Sequence, residues 1–282
     1  MPETAVSLQA LWESAGAVLA AAGIDAPRRE AIRLWSDLER TEPARAMLAS
    51  AEPVSPARAE RYLAAVGRRA AGEPLAYVTG WTGFRRLVLA TDRRALIPRP
   101  ETEGLVELAL ARCRTGVAAD VGTGTGAIAL ALADEGAFAA VHATDVSPDA
   151  LALGRENAAR TGLAVTWHLG DLLAPLAGLH LDLLVSNPPY LTEAEYATLD
   201  ASVRAWEPRL ALPSGEDGLQ ATRRLLDEAR ALMRAGGHVA LEVDCSRARE
   251  VADLAGAFGW RDATVLDDLF GRARYVVARW EP

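Results

Sequence analysis

The chain is 282 residues long and half apolar, which sets a length prior of about two domains and excludes an intrinsically disordered chain. Its formal net charge is −8 and it contains no lysine, so a P-loop lysine and Schiff-base chemistry are excluded, and the acidic balance weighs against a binder of nucleic-acid phosphates. Two distant cysteines, Cys113 and Cys245, exclude a disulfide framework or a CxxC metal site, and His142, His168, His180 and His238 show no ligand spacing.

The opening MPETAVSLQALWESAG has an early Glu and no basic leader, so no signal peptide is expected. No apolar run approaches the ~20 residues of a membrane span, and the expectation is a reduced, cytoplasmic, metal-free protein. Residues 1–73 read as helices only. Leu8, Leu11, Trp12, Ala15, Leu19 and Ala22 keep a helical period that Gly23 stops. A second helix is expected from Pro27 to Arg40, a short third after Thr41-Glu-Pro, and a fourth opened by Ser55-Pro56 and running towards Gly72. This region carries nine arginines against ten acidic residues, so nearly all of the net charge lies beyond it. A near-neutral helical bundle suits either a partner-recognition module or a stabilising appendage.

The texture changes at GEPLAYVTGWTGFRRLVLATDRRALIPRPETE, where β-rich segments and glycine turns predict a hairpin linker over 74–99. Pro100 can open a helix over about 101–114. Strands are then expected at 117–121, 139–144, 164–169, 182–186, 237–243, 261–266 and 274–280. Helices are expected at 125–135 and 148–161, near 217–235 and near 247–258. Such alternation predicts an α/β domain over 100–282, with a mostly parallel sheet covered on both faces.

In VAADVGTGTGAIALALA, the stretch Gly122, Thr123, Gly124, Thr125 and Gly126 lies between a strand and a helix, where glycines let backbone N–H groups approach a ligand. Asp145, ending the next strand in HATDVSP 19 residues after Gly126, is placed to accept hydrogen bonds from both hydroxyls of a ribose. It also suits a helix cap, although Ser147 fits that place better. Asp171 and Leu172, in HLGDLL at the end of a third strand, are candidates for the edge and face of an adenine; Asp171 is equally a turn residue. The GxGxG spacing disfavours a dinucleotide, whereas S-adenosyl-L-methionine, an adenosine with a short zwitterionic tail, fits it.

LDLLVSNPPYL begins as a buried strand and stops at Asn187, Pro188, Pro189 and Tyr190. The two prolines have no N–H, so the loop presents acceptors with little donor competition. The Asn187 side-chain oxygen and the Pro188 carbonyl suit the two hydrogens of a planar NH₂ group, and Tyr190 offers a flat face to cover it. The stretch reads as a clamp for an amide or aromatic amine. Its rival is a rigid turn that merely closes a strand.

With these residues in view, the chain resembles the HemK/PrmC family, the N5-glutamine methyltransferases of peptide chain release factors. The likeness runs nearly end to end, through GEPLAYVTG, LIPRPETE, DVGTGTGAIALALA, SNPPY, WEPRLAL…GEDGL and DLFGRARYVVAR. The resemblance implies a class I, Rossmann-like methyltransferase sheet of seven strands with an antiparallel last strand. It implies S-adenosyl-L-methionine held by Gly122 to Gly126, Asp145 and Asp171-Leu172, with S-adenosyl-L-homocysteine as product. Asn187 would touch both cofactor and substrate, and Asn187 to Tyr190 would hold the glutamine of a Gly-Gly-Gln loop. The helical domain would dock the release factor. Asp244, Cys245, Ser246 and Arg247 depart from the family pattern after the LEV strand and leave the contacts of the next helix open; Leu172 stands where an aromatic is common. Arg99, Glu103, Glu207 and Asp217 read equally as rim residues or as structural ion pairs. The rivals are a glutamine methyltransferase of a ribosomal protein, an N6-adenine or N2-guanine methyltransferase, for which a basic face is expected, and a non-catalytic adaptor. No direct nucleic-acid or membrane partner is expected, and a monomer is the default.

Overall fold

The computed structural model of the chain describes residues 6–282. They form two units, one ending at Gly80 and one running from Trp81 to Pro282.

The first unit is helical: α1 (Leu8–Ala21), α2 (Pro27–Glu39), α3 (Pro43–Leu48), α4 (Pro56–Ala70) and α5 (Leu75–Thr79). The Ser7 hydroxyl accepts the Ala10 amide at the start of α1, whereas α2, α3 and α4 open on prolines, whose missing N–H has no intrahelical partner to lose there. Ser55 takes the position before α4 without a side-chain capping bond. Leu8, Leu11, Trp12, Ala15 and Leu19 pack with Leu34, Trp35, Tyr62 and Val66. The Tyr62 ring meets Trp35 edge-on at 5.3 Å, and its hydroxyl donates to the Ala31 carbonyl at 2.9 Å.

The helical unit runs past residue 73. Part of the stretch expected as hairpin linker is the single turn α5, whose Tyr77 and Val78 are buried. The Arg68 guanidinium pairs with Glu73 and donates to the Tyr77 and Val78 carbonyls, supplying partners that so short a helix lacks.

The second unit opens with the hairpin β1 (Trp81–Phe84) and β2 (Leu87–Ala90). There follow α6 (Pro100–Arg112), β3 (Thr115–Val121), α7 (Ala127–Glu135), β4 (Ala137–Asp145), α8 (Pro148–Thr161), β5 (Thr166–Leu169) and β6 (Leu181–Ser186). Then come α9 (Glu193–Thr198), α10 (Ala201–Trp206), α11 (Gln220–Ala229), β7 (Met233–Glu242), α12 (Ala248–Ala257), β8 (Arg261–Asp267) and β9 (Ala273–Arg279).

One seven-stranded sheet has the order β5-β4-β3-β6-β7-β9-β8. Strands β5 to β7 pair in parallel, and β9 runs antiparallel to both β7 and β8. This is the class I methyltransferase sheet, with apolar clusters on its two faces. The order reverses between β3 and β6, which opens a crevice at their carboxyl ends. Phe84 and Leu89 join one core cluster with Leu105 and Leu130, and Asn157 bonds both backbone polar groups of Ala90.

One helix is shorter than expected, and two were not expected at all. The helix expected near 217–235 is only Gln220–Ala229, because Ser214 and Asp217 hold a turn before it and β7 begins at Met233. The short helices α9 and α10 have no buried residues, so no apolar period announced them.

Removing the buried Tyr62 hydroxyl by Tyr62→Phe will cost about 1 kcal/mol, against about 2–5 kcal/mol for Leu34→Ala in the same core. Urea unfolding of the full chain will rank the two variants in that order.

Candidate active site

The glycine loop leaves β3 with Gly122, Gly124 and Gly126 at φ 72°, 56° and 83°, a left-handed course that disfavours any side chain. Thr123 and Thr125 are buried under the loop. The Thr123 hydroxyl donates to Asp120 Oδ2 at 2.5 Å, and the Ala129 amide donates to the same oxygen at 3.0 Å. Asp120 is fully buried and its Oδ1 has no partner among the described residues. Burial pushes this carboxyl up to about 7, against the opposing pull of its two hydrogen bonds.

Asp145, at the end of β4, grips the loop from the side. Its Oδ2 accepts the Gly124 amide at 2.9 Å and its Oδ1 the Ser147 amide at 2.9 Å. Burial raises this carboxyl as well. Ser147 caps α8 by accepting the Ala150 amide, so Asp145 is not the capping residue. Beyond β5, Asp171 is exposed and pairs with Arg224 at 2.8 Å. Leu172 takes φ 46°, and its carbonyl accepts the Thr144 hydroxyl at 3.0 Å.

Strand β6 is pinned to β3 at its end: Ser186 pairs with Val121 in register, and its hydroxyl donates to the Val121 carbonyl at 2.6 Å. The next residue, Asn187, therefore emerges beside the glycine loop. A cavity of about 390 Å³ opens between the two loops. Of the expected site residues, Gly122, Gly124, Asp145, Asp171, Leu172, Asn187 and Pro189 line it. Thr123, Thr125, Gly126, Pro188 and Tyr190 do not; the threonines face inward and Pro188 is buried. Burial pushes the Tyr190 phenol up to about 12, with the Glu242 charge adding to it. The Tyr190 carbonyl lies against Gly218, where a Cβ would come within 2.5 Å of it.

Sequence reasoning passed over Thr102 and Glu242. The Asn187 Nδ2 donates to Thr102 Oγ1 at 3.2 Å, and the Thr102 hydroxyl donates to Glu242 Oε2 at 2.7 Å. Glu242 ends the strand at LEV and Thr102 stands in the helix start at PETE, but 140 residues separate the partners and nothing local links them. It also passed over the far wall, where Arg94, Leu96, Leu210 and Ser214 line the cavity. Arg99 pairs with buried Glu207 at 2.7 Å, Glu103 accepts the Arg85 amide, and Asp217 holds the Leu219 amide and Arg223. All four of the ambiguous charged residues thus make structural bonds.

The cavity suits a nucleoside with a short charged tail. One wall offers loop amides and the half-buried Asp145 carboxylate, whose oxygens accept the Gly124 and Ser147 amides and keep lone-pair capacity for a further donor. Among the described residues no group of three or more His, Cys, Asp or Glu could hold a metal ion.

Residues 102–207 match the methyltransferase small domain, and residues 10–80 match the PrmC N-terminal domain. A release factor glutamine methyltransferase of Moorella thermoacetica is 47% identical over 267 residues, covering 92% of this chain and 94% of that one. One of Deinococcus radiodurans is 44% identical over 280 residues, covering 97% and 99%. A solved methyltransferase from Pyrococcus furiosus superposes with a TM-score of 0.54 at 20% identity, over 70% of this chain and 90% of that one, a likeness of fold alone.

Asp120 gives this region a pH signature. Its folded pKa lies above the unfolded value, so the folded state holds the proton more tightly. The stabilisation is full below about pH 4 and is lost as pH rises through about 7, up to roughly 4 kcal/mol for this group. Thermal melts between pH 5 and 8 will therefore show a shallower loss of stability with rising pH in Asp120→Asn than in the unsubstituted chain.

Proposed function

The chain belongs to the release factor glutamine methyltransferases and methylates a release-factor glutamine, and on that premise we propose the atom, the donor and the residues involved. The acceptor is the side-chain nitrogen, N5, of the glutamine in the Gly-Gly-Gln motif. When bound, S-adenosyl-L-methionine supplies an electrophilic sulfonium methyl and leaves as S-adenosyl-L-homocysteine.

The chain's own residues do the rest. Gly122 to Gly126 present backbone N–H groups, Asp145 accepts the ribose hydroxyls, and Asp171 and Leu172 take the adenine. The Asn187 oxygen and the Pro188 carbonyl accept the two hydrogens of the glutamine NH₂, and Pro189 and Tyr190 close the clamp around its plane.

An amide nitrogen is a poor nucleophile because its lone pair is shared with the carbonyl. Holding it in place is therefore the chain's main contribution, and such positioning can supply up to about 7–11 kcal/mol. The amide proton leaves to water or a carbonyl, because no strong base is needed once nitrogen has been alkylated. The helical unit docks the release factor.

One observation carries this reading: Asn187 and the glycine loop leave neighbouring strand ends, Ser186 and Val121, and line one cavity. A substrate without the NH₂ leaves the clamp unpaired, at a cost of about 1–3 kcal/mol per buried group.

Incubation with methyl-labelled S-adenosyl-L-methionine and, separately, a release factor, ribosomal protein and DNA will put the label on the release-factor glutamine. Label on either of the others contradicts the assignment. Asn187→Ala will keep cofactor affinity within a few-fold while lowering kcat by about 100-fold or more, as loss of a positioned acceptor does. Asp145→Ala will weaken cofactor binding by about 100-fold, the worth of two bonds to a charged acceptor, as read by calorimetry.

A further inference from the structure

An asparagine side chain has two ends of almost the same shape, and only one of them accepts a hydrogen bond. Turned one way, Asn187 offers the cavity an oxygen; turned the other way, it offers an NH₂ that repels the substrate's own. Nothing within the Asn-Pro-Pro-Tyr stretch decides between the two. The decision is made behind it.

Glu242, the last residue of β7, is 1% exposed, and Thr102, in the first turns of α6, is 5% exposed. An ionised carboxylate only accepts, so the Thr102 hydroxyl must spend its one hydrogen on Glu242, at 2.7 Å. The Thr102 oxygen is left with lone pairs alone, and the Asn187 group that meets it at 3.2 Å must be the NH₂. With the nitrogen held from behind, Oδ1 is the end left over, and no donor among the described residues engages it.

Resting on the reading of Asn187 as acceptor for the glutamine NH₂, we propose that Glu242 and Thr102 are positioning residues that fix the direction of the Asn187 amide and so give the clamp its preference for an N–H donor. Neither residue touches the substrate. Their contribution is a direction of hydrogen bonding, passed through one hydroxyl.

The charge state of Glu242 belongs to the device. Burial pushes this carboxyl up to about 7, while its bond to Thr102 opposes the shift. Around it stand Thr102 and Glu101 of α6, Arg274 and Tyr275 of β9, and Asn187 and Tyr190 of the clamp loop; Arg274 lowers its pKa and Glu101 raises it. Once protonated, Glu242 can donate, the Thr102 hydroxyl is released to point at Asn187, and both orientations of the amide become possible.

The test separates this proposal from the reading it rests on. Thr102→Val keeps the shape and removes the relay; its kcat should fall about tenfold or more, with the Kd for S-adenosyl-L-methionine unchanged by calorimetry, while Thr102→Ser restores turnover. The sequence contains only two asparagines, Asn157 and Asn187, so protein labelled with ¹⁵N-asparagine shows two side-chain NH₂ pairs, of which Asn187→Ala identifies one. In the unsubstituted chain that pair should titrate near neutral pH, and in Glu242→Gln the titration should vanish together with the acid limb of the rate profile. Turnover of Thr102→Val within about twofold of the unsubstituted chain, beside an inactive Asn187→Ala, leaves the clamp standing and overturns the relay. A titration that persists in Glu242→Gln overturns it too, and requires no turnover from Thr102→Val. Full turnover in Asn187→Ala removes the clamp itself, and the relay with it.

Discussion

The bond on which the rest of the site depends is the one between the ends of β3 and β6. Val121 and Ser186 are in register, and the Ser186 hydroxyl closes on the Val121 carbonyl, so two chain segments 65 residues apart leave the sheet side by side. Beyond that point they part. The chain from β3 crosses by α7 towards β4 and β5, and the chain from β6 works outward to β7. A sheet that reverses its strand order must leave a cleft there, because no crossover covers it. The glycine loop and Asn187 are its two lips. The glycine loop, Asp145 and Leu172 follow β3, β4 and β5, whereas Asn187 follows β6 and is backed by the end of β7 and the start of α6.

Two buried carboxylates sit behind these lips, one for each. Asp120 holds the Thr123 hydroxyl under the glycine loop, and Glu242 holds the Thr102 hydroxyl behind Asn187. Neither is neutralised in an ion pair, and both are pushed up to about 7 by burial. Burying an unpaired carboxylate costs stability, and an apolar residue would fill the same volume without that cost. What an apolar residue cannot do is dictate which way a hydroxyl points. The exposed pairs of the same unit, such as Arg94 with Glu156 or Arg223 with Asp217, lie on its surface, where such contacts contribute about 0–1 kcal/mol and no direction.

The sequence revealed whatever is encoded within a short stretch. Three glycines on a left-handed path, an aspartate at a strand end and Asn-Pro-Pro-Tyr each bear their chemistry locally, and the period of the long helices and strands revealed the sheet. What stayed hidden lies between stretches. Thr102 and Glu242 mean little apart; the bond between them exists only once α6 lies against β7. Helices α9 and α10 bury nothing, so they follow their caps, Thr192 with Glu195 and Asp200 with Ser202, instead of an apolar stripe. Turn α5 hid for the opposite reason. Its two buried side chains are too few to show a period, and part of its stability comes from Arg68 on another helix.

The loop that follows Tyr190 shows how a departure from a family pattern is read correctly only in three dimensions. Asp244 to Arg247 differ from the expected residues after β7, and from sequence their effect fell on the next helix alone. In the fold Arg247 turns back to the clamp, pairing with Glu195 at 2.7 Å and donating to the Tyr190 carbonyl at 3.4 Å. The same loop is tied again where Leu191 and Ser214 join main chain to main chain at 2.7 Å, and Arg99 anchors Glu207 beyond it. A loop whose prolines have removed two of its N–H groups has few ladder bonds with which to hold itself. It must borrow rigidity from its surroundings, and an arginine reaching the Tyr190 carbonyl from α12's leading edge supplies part of it.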